Sequence, residues 1–364
     1  MPSFFNTACA LLSAGQLATA ATYTLQDNYD KTNFFKGFEF FSGADPTTGF
    51  VQYQDAASAS AQGLAGYHEG GIYLGSDHTT MNPANGRAST RVYSKKTYDQ
   101  MFMVVDVVHM PVGCGTWPAL WSYGKDWPGM GEIDVLEGVN SQSTNQITLH
   151  TNGSCTMAQG SAVGSTKFSA TADCSAGDGS TGCPQTTTST NNFGAGLNAG
   201  GGGIYAMLWD NEAISVYHFP RNSTTANSLT SNSSTVDTSI LGMPLATFVG
   251  GDGCDITEKF FSHHITINTD FCGSWAGQDS VWSADAECSA KAPTCQEYVA
   301  NNPEAFVDAY WLFNSIKVYT TSGSASPTAT ASGSAVSATA SGAYGSFGVY
   351  GSYGKKKRGL PFRA

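Results

Sequence analysis

Charge is what this sequence has least of. Only 12% of its 364 residues are Asp, Glu, Lys or Arg, and 28 acidic residues outnumber 17 basic ones for a formal net charge of −11. An acidic surface repels polyanions, which argues against nucleic acid and against sulfated or uronic polysaccharides as partners. Long amphipathic helix periods are missing, and no internal repeat is visible. The apolar stretch around Ala8 to Leu12 is too short and too polar to span a membrane. No Cys-x-x-Cys and no Cys/His pair has structural-zinc spacing, and no acidic loop has the calcium-binding pattern, so neither a metal nor another cofactor is expected.

What is present is glycine (42 residues), together with plentiful Ser, Thr, Val and Tyr. Short β-type runs recur between Gly, Asn, Asp and Pro clusters: Gly71 to Leu74, Met101 to His109, Gln146 to His150, Ile204 to Trp209, Ala213 to Phe219 and Ser315 to Tyr319. This pattern predicts an all-β protein, with a double-sheet sandwich as the default. Residues 1–20 read as a secretory signal, although without basic residues at its start, and residues 21–319 as one domain. From 320 to 364 the composition turns to Ser, Thr, Ala and Gly, a stretch that cannot bury a core, and it closes on the basic run Lys355 to Arg358. The polar terminus lacks the hydrophobic tail of a lipid-anchor signal.

Apart from Cys9, eight cysteines remain: Cys114, Cys155, Cys174, Cys183, Cys254, Cys272, Cys288 and Cys295. An even number predicts four disulfides and a secreted, extracellular or cell-wall location, the alternatives being zinc ligation or buried thiols. Cys174 with Cys183, and Cys288 with Cys295, are close enough in sequence to close local loops. Sequons stand at Asn152, Asn222 and Asn232, and the latter two, in a Ser/Thr/Asn-rich stretch, are the expected glycosylation sites.

The chemistry concentrates in Glu132-Ile133-Asp134-Val135-Leu136-Glu137. Alternation with Ile133 and Val135 puts Glu132 and Asp134 on one face of a strand. Glu137, five residues from Glu132, points to the other face unless a bulge at Val135 or Leu136 brings it back. With the bulge, the three acids form one row, and two Glu side chains leaning together close to about 5 Å, the separation of a retaining glycosidase. One carboxylate then attacks the anomeric carbon while the other protonates the leaving oxygen and later activates water.

The run Gly131 to Glu137 resembles the signature of glycoside hydrolase family 16 in its laminarinase-type form with the extra bulge residue. The similarity extends through Asn85 to Arg91, His109 to Pro111, Gly115 to Trp121, Thr148 to Thr151 and Phe271 to Gly277. Together these motifs cover most of residues 25 to 320. The resemblance implies a curved β-jelly-roll sandwich of two antiparallel sheets with an open concave cleft for a linear, neutral β-glucan. It makes Glu132 the nucleophile, Glu137 the acid/base and Asp134 the residue that positions the nucleophile, and it matches His150 to a histidine beside the acids.

Neutral sugars are recognised by aromatic faces. Trp117, Trp121, Trp127 and Trp275 are the substrate-binding candidates, with core packing as the alternative for each, while Trp209, Trp282 and Trp311 read as core. His263 and His264 are adjacent, so they face opposite ways in a strand and read as structural. The chain resembles fungal secreted endo-1,3(4)-β-glucanases, which implies a monomeric hydrolase of β-1,3 or mixed β-1,3/1,4 linkages. A cell-wall transglycosylase and a silent β-glucan-binding lectin are the competing readings.

Overall fold

The structure is a computed structural model that describes residues 21–158, 161, 166–168, 171–175 and 181–321. The predicted signal at 1–20 and the tail beyond Thr321 lie outside the described residues. Alternating burial along short runs rich in Val, Ile and aromatic residues builds two large antiparallel sheets. One, of nine strands, has at its centre Phe102–His109, Gly203–Trp209 and the long strand Tyr310–Thr321. The other, of eight, runs Thr166–Phe168, Gln185–Thr187, Gln146–His150, Glu132–Glu137, Thr116–Gly124, His263–Phe271, Arg91–Ser94, Phe38–Phe40 in spatial order.

The sheets face each other across one apolar core. Met103, Val105, Val107, Tyr205, Met207 and Trp209 from the nine-stranded sheet meet Leu120, Ile133, Leu149, Ile265 and Ile267 from the eight-stranded one. Each fully buried side chain of this size contributes about 1.5–3 kcal/mol. Because side chains alternate, filling the core with one set aims the other set outward on the far side of the eight-stranded sheet. That outward face carries the acids.

Trp209, Trp282 and Trp311 are buried in the core, as predicted. The β-type runs all fall on strands, and the last continues through Thr321, past the expected boundary at 319.

Four disulfides form: Cys114–Cys288, Cys155–Cys254, Cys174–Cys183 and Cys272–Cys295. Of the two local loops that the sequence left open, Cys174–Cys183 forms and Cys288–Cys295 does not. Cys288 lies in the Ala286–Ser289 helix and Cys295 opens the Cys295–Asn301 helix, and the turn between them sends each to a cysteine beside a strand end instead, Cys114 and Cys272 respectively. The two bridges clamp these helices over a second apolar cluster with Val51, Tyr53, Phe271, Trp282, Tyr298 and Phe306.

Candidate active site

The acid strand starts at Gly131, whose φ of 79° is one that side-chain-bearing residues rarely adopt and whose missing Cβ leaves room for the Lys259 carbonyl and the Phe260 ring. Along the strand, Asp134 pairs with Trp121 but Leu136 pairs with Leu120, so Val135 is the extra residue. Val135 and Leu136 are both buried in the core, two successive side chains on one face. The bulge predicted from the odd spacing is therefore present. Asn145 braces it: its Oδ1 accepts the Glu137 N–H at 2.9 Å and its Nδ2 donates to the Val135 carbonyl at 2.9 Å. These are backbone groups that a bulge takes out of the ladder.

Cross-strand register places the rest. Glu132 lies opposite both Tyr123 and His150, Asp134 opposite Trp121 and Thr148, and Glu137 opposite Ala119. Directly paired residues share a face, so all three acids and His150 share one surface. His150 Nε2 is 3.4 Å from Asp134 Oδ2, and one donor atom each of Glu132, Asp134 and His150 lies within 4.8 Å of the others. Among the described residues this is the one carboxylate and imidazole group close enough to hold a metal ion.

Burial sets the electrostatics. Asp134 is 1% exposed, and its carboxyl is held well above the ordinary range by desolvation first and the neighbouring Glu132 charge second. Glu137, 8% exposed, is also pushed well up, by burial, then by Asp134 and Glu132. The Trp117 indole N–H, donating to Glu137 Oε1 at 2.8 Å, and the nearby His150 pull the other way. Glu137 is thus biased toward its protonated form while its side chain keeps some exposure to solvent.

Aromatic residues flank the row at both ends. Trp127, 47% exposed, donates its indole N–H to Glu132 Oε2. At the other end, Trp117 stands edge-on to Trp275, ring centroids 5.5 Å apart, both half-buried. Trp121 differs from these three. It is 9% exposed, stacked on Tyr123 at 4.8 Å, covered by the Arg91 guanidinium at 5.0 Å, and bonded to Asn268 Oδ1 at 2.6 Å. Its faces are occupied, so it forms floor beneath the cleft residues.

The sequence reading did not find Asn145, Asn268, Arg91, Tyr123 or His264 as parts of this surface. Arg91 fell inside a quoted motif without a role, and nothing local marks the others, whose place depends on strand register. His263 and His264 part company as predicted: His263 is buried between Ser122 and the Met130 carbonyl, and His264 bonds the Ser94 carbonyl at 2.6 Å on the outward face.

Comparison with known proteins agrees with this geometry. Residues 38–319 match the family model described as the XgeA-like, catalytic GH16 domain. An endo-1,3(4)-β-glucanase of Arthroderma benhamiae is 41% identical over 315 residues, 85% of this chain and 68% of that protein. The Emericella nidulans endo-1,3(4)-β-glucanase xgeA is 37% identical over 90% of this chain, which spans 52% of it. The chain spans about half the length of several such relatives. Laminarinase 16A of Phanerochaete chrysosporium, solved with 6-O-glucosyl-laminaritriose in its donor and acceptor sites, superimposes with a TM-score of 0.77 at 42% identity, covering 82% of this chain and all of that one. An elongating family 16 β-1,3-glucosyltransferase gives a TM-score of 0.73 at 36% identity, with 82% of this chain and all of that one covered. With its jelly-roll sheets, its bulged acid strand and a family match across most of its length, the chain is a glycoside hydrolase and belongs to the XgeA-like catalytic domains of family 16.

Proposed function

We propose that the chain is a retaining endo-β-glucanase that cleaves internal β-1,3 or mixed β-1,3/1,4 linkages of a neutral glucan. The observation that carries this reading is the bulge, which puts Glu137 in one row with Glu132 and buries it against two carboxylates. Glu132 attacks the anomeric carbon. Glu137, protonated at the start, gives its proton to the leaving glycosidic oxygen. Once Glu132 is esterified its charge is gone, so one cause of Glu137's raised affinity for protons is removed and Glu137 becomes the base that activates water. Asp134, beside Glu132 on the same face and 3.4 Å from His150, positions the nucleophile, and no step is routed through a cation. Trp127 and the Trp117–Trp275 pair supply aromatic faces on either side of the bond to be cut, with Trp121 supporting the floor.

The relatives' names support a β-glucan substrate, and the disulfides support an extracellular enzyme. We assign it as a monomer acting outside the cell or in the wall. The similarity to an elongating glucosyltransferase favours a second outcome from the same intermediate, in which a sugar hydroxyl replaces water as acceptor. Reducing-sugar release from laminarin, lichenan and xyloglucan, with and without an acceptor oligosaccharide, tests both. Hydrolysis of the first two that Glu132→Gln abolishes is expected, longer products with acceptor indicate transfer, and binding without turnover overturns the enzyme reading in favour of a lectin.

A further inference from the structure

A second carboxyl pair sits beside the cleft, outside the acid row. Asp270, directly across from Trp117 on the neighbouring strand, is 2% exposed. Asp45 reaches it from the segment preceding Val51–Tyr53, its side chain 3% exposed. Thr47 stands between them, its hydroxyl 2.5 Å from Asp45 Oδ2 and 2.8 Å from Asp270 Oδ2. A hydroxyl carries one proton and can donate to one carboxylate, so the other contact requires a proton on a carboxyl group.

The remaining donors identify which. Asp45 Oδ2 also accepts the backbone N–H of Thr47 at 3.0 Å and of Gly49 at 2.8 Å, so three contacts already crowd that oxygen and leave it little room for a proton of its own. Asp270 accepts one backbone N–H, from Phe271 at 2.6 Å, on its other oxygen. Its Oδ2 is left to carry the proton, giving a chain from the Asp270 acid through Thr47 to the Asp45 carboxylate. Burial first and the Asp45 charge second raise Asp270 to about 8, against the opposing pull of Thr47, the Phe271 N–H and Arg91. The other groups facing the pair are the Arg91 guanidinium, 3.9 Å from Asp45 Oδ1, and the buried Tyr53 phenol, which burial and Asp270 keep protonated.

Three parts of the cleft meet on this chain. The Thr47 carbonyl accepts the Ser274 N–H at 2.9 Å, in the Gly273–Ala276 helix that bears Trp275. A Cβ at Gly273 would lie 3.2 Å from Asp270 Oδ2, from the Thr47 carbonyl and from the Trp117 ring, and one at Gly49 would run into the Asp270 carboxyl. We propose that Asp270 is a positioning residue for substrate binding: as a carboxylic acid it ties the 45–49 segment to the Trp117 strand and the Trp275 helix, and its ionisation loosens that aromatic end of the cleft. Without its proton, two buried carboxylates compete for one hydroxyl, and the segment between them gives way.

The test rests on the glucan-binding reading above and is arranged to separate the two. In the Glu132→Gln background, laminariheptaose affinity is measured by calorimetry from about pH 6 to about pH 9. The expected result is a Kd rise of roughly tenfold, half complete near pH 8. Adding Asp270→Asn flattens that rise, because the amide accepts from Phe271 and donates to Thr47 at every pH. Thr47→Val, which breaks the link without altering either carboxyl, weakens binding roughly tenfold already at the acid end. A flat Kd with Asp270 present, or the same rise with Asn in its place, overturns the proposal. The tryptophan emission of the ligand-free protein is followed alongside. A transition near pH 8 that Asp270→Asn removes supports the positioning role even if no glucan binds, in which case it is the glucanase reading that fails; a transition that survives Asp270→Asn counts against the positioning role.

Discussion

Glu137 and Asp270 are buried carboxyl groups on strands of the same sheet, each made hard to ionise by burial first and a neighbouring carboxylate second. Their hydrogen bonds differ. Asp270 commits both oxygens to the chain's own groups, Phe271 N–H on one and Thr47 on the other. Glu137 receives Trp117 on Oε1, and among the described residues nothing is bonded to Oε2. Asp134 has both oxygens buried, with the Glu132 carboxyl as its hydrogen-bonding neighbour and His150 at 3.4 Å. A carboxyl whose proton is already spent on internal partners can hold a shape, whereas one with a free oxygen at a solvent-reachable edge can pass a proton to a substrate. Desolvation raises both kinds, so a raised pKa does not distinguish them; the hydrogen-bond inventory does.

The largest test of this contrast removes the two groups proposed to react. Glu132→Gln is expected to lower kcat on laminarin by at least about a thousandfold, and Glu137→Gln by about 10²–10⁴, with the fold retained by circular dichroism. Next come changes that move Glu137 without touching it. Asp134→Asn removes a charge that raises Glu137, so the alkaline limb of kcat/KM shifts to lower pH, whereas Trp117→Phe removes a donor that favours the ionised form and shifts it to higher pH. Rate against pH for the two variants should therefore separate in opposite directions, each with roughly a tenfold loss at the optimum.

Asp270 is read out in stability. Its folded pKa, about 8, lies above an unfolded value of about 3.9, so the folded state binds more protons in between and stability falls as pH rises across that window. Denaturant unfolding at several pH values should show this slope reduced in Asp270→Asn, the remainder coming from Asp134 and Glu137, which are shifted the same way. The smallest effect is reserved for an exposed acid. Glu287 pairs with Lys291 at 2.9 Å with both side chains largely in solvent, and Glu287→Gln should change stability by less than about 0.5 kcal/mol.

Much of this was legible in the chain. The odd spacing of Glu132 and Glu137 required a bulge at Val135 or Leu136, and the register slips at Val135. The β-type runs between turn residues located the strands because alternation is a local property with a period of two. Trp127, five residues before Glu132, could be placed at the cleft because it sits next to the acid strand in sequence. Disulfide connectivity stayed open in the sequence: Cys174–Cys183 and Cys288–Cys295 were equally near neighbours, and only the first pair forms, because nearness in sequence does not say how short helices fold back on the sheet.

The sequence by itself determined the acids, their need to share a face, and the all-β class, since these follow from residue type and spacing. Tertiary structure alone decided that Asn145 braces the bulge, that Trp121 is covered while Trp117 is free to reach Glu137, and that Asp45 and Asp270 share Thr47 across 225 residues of chain. Each of those is a contact between strands or loops distant in sequence, whose register is set by the summed packing of a whole core and by no signal near the residues themselves.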